Sequence, residues 1–425
     1  MNVRGSVGDW RIQEAAATMH VLFVHENYPA QFGHVARWLA ERQGWRCTFV
    51  TQRAGEAPPG IERIAYHVSG GATPQTNYCS RTFENQIWRS QAVFDVLAAR
   101  PDIQPDLIVG HSGFVSTLFL RELYACPVVN YFEYFYRTRN SDLDFRNDLP
   151  LCPPRDLLRA RARNAMLLLD LENCDAGYSP TCWQRSRLPE RYQQKITTIF
   201  DGIDTSLWRP RAGVPRRIAG WDLPGDKRIV TYVSRGMESM RGFDIVMRVA
   251  SHLTRTRDDV LFVIVGEDRV VYGGDRRFTG NKTFKQWVLE REPCDLSRVL
   301  FVGRIPPREL AQLFSLSDLH LYLTVPFVLS WSLMDALACG CTILASDTAP
   351  VREMIRHEEN GLLVDFFDVD GFVAAANRVL DDPAAFRQLG RTGVQLIEEQ
   401  YSLETCMPRM RAFFQEVSAA GGRVD

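Results

Sequence analysis

Several signatures are missing from this chain, and each absence removes a class of function. Neither a GxxxxGK[ST] loop nor a GxGxxG turn occurs, which argues against ATP hydrolysis and against nicotinamide chemistry. Paired CxxC spacing is also missing. The 10 cysteines (Cys47, Cys79, Cys126, Cys152, Cys174, Cys182, Cys294, Cys339, Cys341 and Cys406) stand mostly singly in apolar runs, reading as buried thiols of a reducing cytoplasm and not as a zinc site. An excess of charge of one sign is absent: 50 basic residues oppose 51 acidic ones, so no global field draws in nucleic acid. Nowhere do about 18 apolar residues run uninterrupted, and residues 1–18 hold no apolar centre of a secretory signal. The expectation is a soluble cytoplasmic protein that at most touches the inner face of the cell membrane.

What is present is strand–loop–helix sequence, repeated. His20–Val24 (HVLFV) reads as a strand, followed by the polar loop HENYPAQFG and a helical pattern, HVARWLAERQG, that ends in glycine. Further strands are expected at Cys47–Val50, Asp106–Val109 and Val128–Tyr131. The pattern restarts after the segment 208–225, with strands at Ile229–Val233, Leu261–Val265, Val299–Val302, Leu319–Leu323 and Thr342–Ala345. Apolar runs of this kind favour parallel sheets covered by helices. At 425 residues the chain exceeds one ordinary core, so two doubly wound α/β domains are expected, 19–206 and 207–400, behind a leader 1–18. The segment Pro153–Leu171 sets Arg155, Arg159 and Arg163 at helical spacing beside leucines. It reads as the solvated face of a core helix, or as a helix lying on anionic lipid.

In open α/β sheets ligands collect beyond the carboxyl ends of the strands, which directs attention to four loops. One carries His25, Glu26, Asn27, Gln31 and His34; another carries Gly110, His111, Ser112 and Gly113. Arg235 and Arg241 flank a loop closed by Gly242, an arrangement suited to a diphosphate or to plain surface ion pairing. The fourth, Pro326–Gly340, runs into a helix beginning near Asp335. There Ser332-Leu333-Met334-Asp335 fits a capping box, so Asp335 is either a cap or a ligand group. His111 is either a substrate contact or a core histidine, and Glu133, at another strand end, is a candidate carboxylate. Asp142-x-Asp144 and Asp368-x-Asp370 follow no convincing strand and are rejected as metal sites; no metal ligands are assigned.

Taken in order, Asp201-Gly202-Ile203-Asp204, Arg235, Arg241-Gly242, Phe301-Val302-Gly303-Arg304, Met334–Gly340, Ser346-Asp347 and Glu359-Asn360-Gly361-Leu362-Leu363-Val364 resemble the motifs of the retaining glycosyltransferases of family 4. HENYPAQFGH, GHSG and YFEYFYR extend the resemblance, to a bacterial subgroup, across nearly the whole chain. It implies the GT-B architecture, two Rossmann-like domains facing a central cleft, with a C-terminal helix (about 401–425) returning to the first. It implies transfer from a nucleotide diphosphate sugar to a hydroxyl acceptor, a glycan, lipid-linked saccharide or small molecule, without cofactor or metal. His111, Arg235 and Arg241 would act on the reacting groups. Gly303, Arg304, Phe327, Leu329, Ser330, Trp331, Ser332 and Asp335 would surround the donor, and His25, Glu26, Asn27, Gln31, Phe32 and Glu133 the acceptor. The family's two glutamates, separated by seven residues, fall here on Phe327 and Asp335, so the donor-sugar acid is replaced by a phenyl ring. An epimerase of the same architecture and a non-catalytic sugar-nucleotide binder are the alternatives.

Overall fold

The apolar runs become central strands because both of their faces are covered. Val21–Val24 and Leu107–Val109 have no exposed surface, and each such large side chain contributes about 1.5–3 kcal/mol by burial. The computed structural model describes residues 18–421; the expected leader, apart from Thr18, lies outside the described residues. Strands β1 (His20–Val24), β2 (Arg46–Thr51), β3 (Ile61–Ala65), β4 (Leu107–Ser112), β5 (Val128–Phe132), β6 (Ala176–Ser179) and β7 (Ile196–Thr198) form one parallel sheet in the order β3-β2-β1-β4-β5-β6-β7. After a small antiparallel pair, β8 (Arg217–Ile218) and β9 (Trp221–Asp222), a second parallel sheet follows. It is built from β10 (Arg228–Gly236), β11 (Val260–Glu267), β12 (Val299–Gly303), β13 (Leu319–Tyr322), β14 (Ile343–Ser346) and β15 (Leu362–Val364), in the order β12-β11-β10-β13-β14-β15.

Each sheet reverses its strand order once, beside β1 in the first (between β1 and β4) and beside β10 in the second (between β10 and β13). A crevice opens at such a switch point, outside the carboxyl ends of the two strands. The strands run further than the sequence suggests: β4 reaches Ser112 and β10 reaches Gly236. His111 and Arg235 therefore sit on the final residues of strands instead of in the loops that follow. Gly242 begins the next helix, Phe243–Thr256, at φ 64°, where a Cβ would lie 2.7 Å from that of Leu323. Only glycine lets the Arg241 loop close so tightly against the strand beside it.

The lobes are tied together by a few polar and aromatic contacts. Arg146 of the first reaches Asp244 of the second at 2.6 Å, both nearly buried, and Glu353 accepts the N–H groups of Cys182 (2.7 Å) and Trp183 (2.8 Å). The helix Leu403–Ala420 packs back on the first sheet, with Phe414 against Phe23 and Arg411 donating to Gln43 at 2.7 Å. Its approach is set by Ile203, which bridges to Ser402.

Candidate active site

The loop after β10 explains itself from the inside out. Glu238 is fully buried, and one of its carboxylate oxygens accepts the backbone N–H groups of Val271, Tyr272 and Gly273 at 2.9–3.0 Å. That grip places the Tyr272 ring beside Arg235, whose guanidinium donates to its hydroxyl at 3.4 Å, and under Arg241, whose guanidinium lies 5.4 Å from the ring centre. Arg241 is only 5% exposed. It donates to the Thr324 hydroxyl at 2.7 Å and lies 5.7 Å from the Phe327 ring. Neither arginine has a carboxylate within ion-pairing distance among the described residues, so the surface ion-pair reading of this pair fails. Burying a cation without a counter-ion costs several kcal/mol, and the chain bears that cost at the carboxyl end of a switch-point strand.

The segment after β13 corrects the capping expectation. The helix spans Trp331–Ala338, and Ser330 is its cap, its hydroxyl accepting from the Ser332 N–H at 3.3 Å. Asp335 therefore lies in the helix interior and caps nothing. Its carboxyl makes no hydrogen bond among the described residues, and burial holds it well above the usual carboxylate range. Most amides at the helix start are already taken. The Ser330 N–H is taken by the Tyr322 hydroxyl (2.9 Å), that of Ser332 by Ser330, and that of Leu333 by the Ser330 carbonyl (3.1 Å). Leu329 is packed in the core, while Gly303 and Arg304 stand at the carboxyl end of the edge strand β12, Arg304 exposed.

Across the cleft, β1 and β4 bring two histidines together, with ring centres 5.0 Å apart. The Nδ1 of His25 lies 2.8 Å from the Asn27 amide; an amide can only donate, so Nε2 carries the proton. The Nδ1 of His111 lies 3.0 Å from the Ser112 carbonyl, which can only accept, so here Nε2 presents a lone pair. Both Nε2 atoms are buried, with no hydrogen-bond partner among the described residues. Burial pulls His25 down to about 4 and His111 well below its ordinary value, so both rings are neutral at pH 7. Phe32, expected to touch the acceptor, is fully buried and packs edge-on under His25; it supports the ring instead of lining the cleft. Glu26 turns toward Arg89 (3.4 Å).

Glu133 is where the lobes meet electrically. It accepts from Gln31 at 3.3 Å and lies 3.9 Å from the His111 Nε2. Burial raises its carboxyl, against the Gln31 bond and the fields of Arg241 and Arg235. Asp201 is drawn in as well: burial foremost, then the charge of Glu133, push it up to about 7, despite the Tyr131 hydroxyl and the Trp331 side chain. Phe327 stands 4.7 Å from Tyr134 of the first lobe and 5.5 Å from Tyr272 of its own. The structure thus gathers His25, His111, Gln31, Glu133, Arg235, Arg241, Phe327 and Trp331 around one cleft. Sequence reasoning singled out neither Glu238 nor Tyr272, and used Asp201 only as part of a motif. A lone acid in an arginine loop and a tyrosine before Gly-Gly carry no spacing that would reveal them.

The rejected acid pairs have structural work. Asp144 closes a capping box with Ser141, and Asp368 caps the helix Val369–Asp381. The segment Pro153–Leu171 forms the helices Pro154–Ala162 and Asn164–Asn173. Its arginines are not simply a solvated row: Arg155 and Arg159 lie over Tyr78, and Arg163 over Tyr136. No helix among the described residues is long and apolar enough to cross a membrane.

Comparison with known proteins gives two family matches that follow one another along the chain. Residues 43–208 match the profile described as Glycosyl transferase family 4 group, and residues 215–395 that described as Glycosyl transferases group 1. The N-acetyl-alpha-D-glucosaminyl L-malate synthase of Bacillus anthracis is 23% identical over 222 residues, 52% of this chain and 54% of its own. The chain spans about half the length of the curated relatives it first matches. Among solved structures, sucrose-phosphate synthase from Thermosynechococcus elongatus superposes with a TM-score of 0.75 at 20% identity, covering 95% of this chain and all of the other. An Anabaena protein, HepE, solved with UDP and glucose, superposes with a TM-score of 0.65 at 13% identity, over 94% of this chain and all of its own. These likenesses establish the fold: two parallel α/β sheets in the GT-B arrangement.

Proposed function

The chain belongs to glycosyltransferase family 4, and we propose that it moves a sugar from a nucleotide diphosphate sugar to a hydroxyl acceptor, with retention at the anomeric carbon. The observation that carries this reading is Arg241, a buried cation with no anionic partner among the described residues, 2.7 Å from Thr324 at the switch point of the second sheet. A diphosphate supplies the missing charge, and Arg235 adds a second guanidinium. Asp335, raised by burial, accepts from the ribose hydroxyls. The Phe327 ring excludes water from the sugar and favours a donor without a hydroxyl at that point.

As the glycosidic C–O bond breaks, its electron pair passes to the leaving phosphate. Charge grows there, and cations already in place stabilise it more than they stabilise the intact donor. The acceptor oxygen attacks from the face the phosphate leaves, its proton passing to a phosphate oxygen. No metal is needed for this charge balance. The acceptor hydroxyl lies toward Glu133 and the two histidines, where the His25 N–H and the His111 lone pair offer one donor and one acceptor to a single hydroxyl. In this reading donor binding belongs to residues 207–400, and acceptor binding to 19–206 with the returning helix. Leu158 and Leu169, exposed on the segment 153–171, give peripheral contact with the inner face of the membrane when the acceptor is lipid-linked.

The test is to incubate the protein with a panel of nucleotide sugars and measure nucleoside diphosphate release with and without candidate acceptors. Acceptor-dependent release of nucleotide together with a glycosylated product supports the reading. Conversion of the donor sugar without acceptor makes the chain an epimerase, and binding without release in every combination makes it a sensor.

A further inference from the structure

A cavity of about 490 Å³ lies between the lobes with Tyr272 as one wall, the ring that also stands against Phe327 and under Arg241. That volume suits a small molecule. Its charged groups are largely accounted for. Arg146 is spent on Asp244 and Asp148, at 2.6 and 2.8 Å. Arg277 reaches Asp156 at 3.5 Å, and the other Asp156 oxygen takes the Tyr78 hydroxyl at 2.5 Å. Asp275 is held by Ser239, and Asp142 accepts from Tyr134 at 2.6 Å. Arg276 is exposed.

Two guanidinium groups remain. Arg159 lies 4.9 Å from the Tyr78 ring centre and donates to its hydroxyl at 3.3 Å, and Arg163 lies 3.8 Å from the Tyr136 ring centre and donates to its hydroxyl. Neither has a carboxylate within ion-pairing distance among the described residues, and the Nε of each is buried with no partner. Stacked this way, the forks are held rigid before any ligand arrives, and a buried N–H left unpaired is costly. The two residues sit four apart where the helices Pro154–Ala162 and Asn164–Asn173 meet, so both face one cavity wall. Planar forks preorganised in this manner match the oxygens of a phosphate.

We propose that Arg159 and Arg163 form the subsite for a phosphate group of the acceptor, which seats the acceptor against Tyr272 with its hydroxyl toward the donor. The proposal rests on the glycosyltransferase reading for the identity of the ligand as acceptor. It applies equally to a soluble sugar phosphate and to a lipid headgroup.

The test uses the full chain, with UDP, GDP and ADP tried in turn to fill the donor site and glycerol 3-phosphate as the calorimetric probe. Arg159→Gln and Arg163→Gln are each expected to weaken the probe roughly 10- to 100-fold, the worth of a charge-assisted hydrogen bond, with nucleotide affinity unchanged. Arg163→Lys, which keeps the charge but loses the fork, should fall between and guards against a folding defect. Sedimentation with phosphatidylglycerol vesicles, against phosphatidylcholine controls, assigns the phosphate to a lipid if retention depends on the two arginines. Retention of the soluble probe alone assigns it to a free phosphate. A protein that binds nucleotide but no phosphate probe, or whose Arg159→Gln/Arg163→Gln double variant binds the probe undiminished, overturns the proposal and leaves the transferase reading standing. Arginine-dependent probe binding without any nucleotide binding leaves the subsite and removes the transferase reading.

Discussion

Replacing Arg241 with methionine should separate what this residue does for the fold from what it does for the ligand, because the two effects have opposite signs. The fold loses the bond to Thr324, worth about 0.5–1.5 kcal/mol, and two cation–π contacts at 5.4 and 5.7 Å, each worth roughly 0.5–1 kcal/mol. Thr324 is not orphaned, since its hydroxyl donates to the Val325 carbonyl at 3.0 Å. Against that loss stands the several kcal/mol it costs to bury an uncompensated cation, which methionine removes while keeping most of the contact surface. The net effect on stability is near zero or favourable. The ligand loses a fork of two charge-assisted hydrogen bonds, about 3–6 kcal/mol together, so nucleoside diphosphate affinity should drop roughly 10²- to 10⁴-fold. Titration calorimetry and thermal melting of the same preparation read both numbers. A variant that melts several degrees lower yet binds nucleotide normally would show that Arg241 is a packing residue and refute the reasoning.

Asp335→Asn should weaken ribonucleotide binding about 10-fold or more without lowering the melting temperature, because the carboxyl caps nothing and makes no hydrogen bond among the described residues; a lower melting temperature with intact binding would contradict this. Arg146→Ala strands the buried Asp244 and should cost about 3–5 kcal/mol, seen as a fall in the urea midpoint, whereas a change below 1 kcal/mol would mean that the lobes are held elsewhere. Asp170, fully buried and bonded to Ser112 (2.6 Å) and Ser116, is raised to about 7 by burial. The folded chain therefore holds this proton more tightly than the unfolded chain, whose aspartate titrates near 3.9. Its contribution to stability is whole below about pH 4 and is lost as pH rises toward 7. Relative to Asp170→Asn, the wild type should lose melting temperature between pH 4.5 and 7.5, and parallel curves would rule the shift out.

How much was legible in the sequence depended on whether a residue announces itself to its near neighbours. HVLFV and DLIV read as strands because every side chain after the first is apolar. IERIA, AGYS and ITT did not, being short, mixed or small, and they become β3, β6 and β7 only through pairing with strands far along the chain. The Arg235 and Arg241 loop and the replacement of an acid by Phe327 were visible as residue types at given spacings. That Ser330 and not Ser332 caps the helix depends on a hydroxyl reaching one amide, and that Phe32 lies beneath His25 depends on which way a helix face turns.

Local pattern alone thus determined two parallel α/β sheets and the strand ends at which to look, because side-chain periodicity and loop chemistry act over a few residues. Tertiary structure alone decided that β1 lies beside β4 and β10 beside β13, which opens the two crevices toward each other. It also decided that Glu238 buries itself to carry Tyr272, and that Arg241, Arg159 and Arg163 find no carboxylate among the described residues. Burial and the lack of a partner are properties of the whole packed chain, since they are set by everything that surrounds a group and not by its neighbours in sequence.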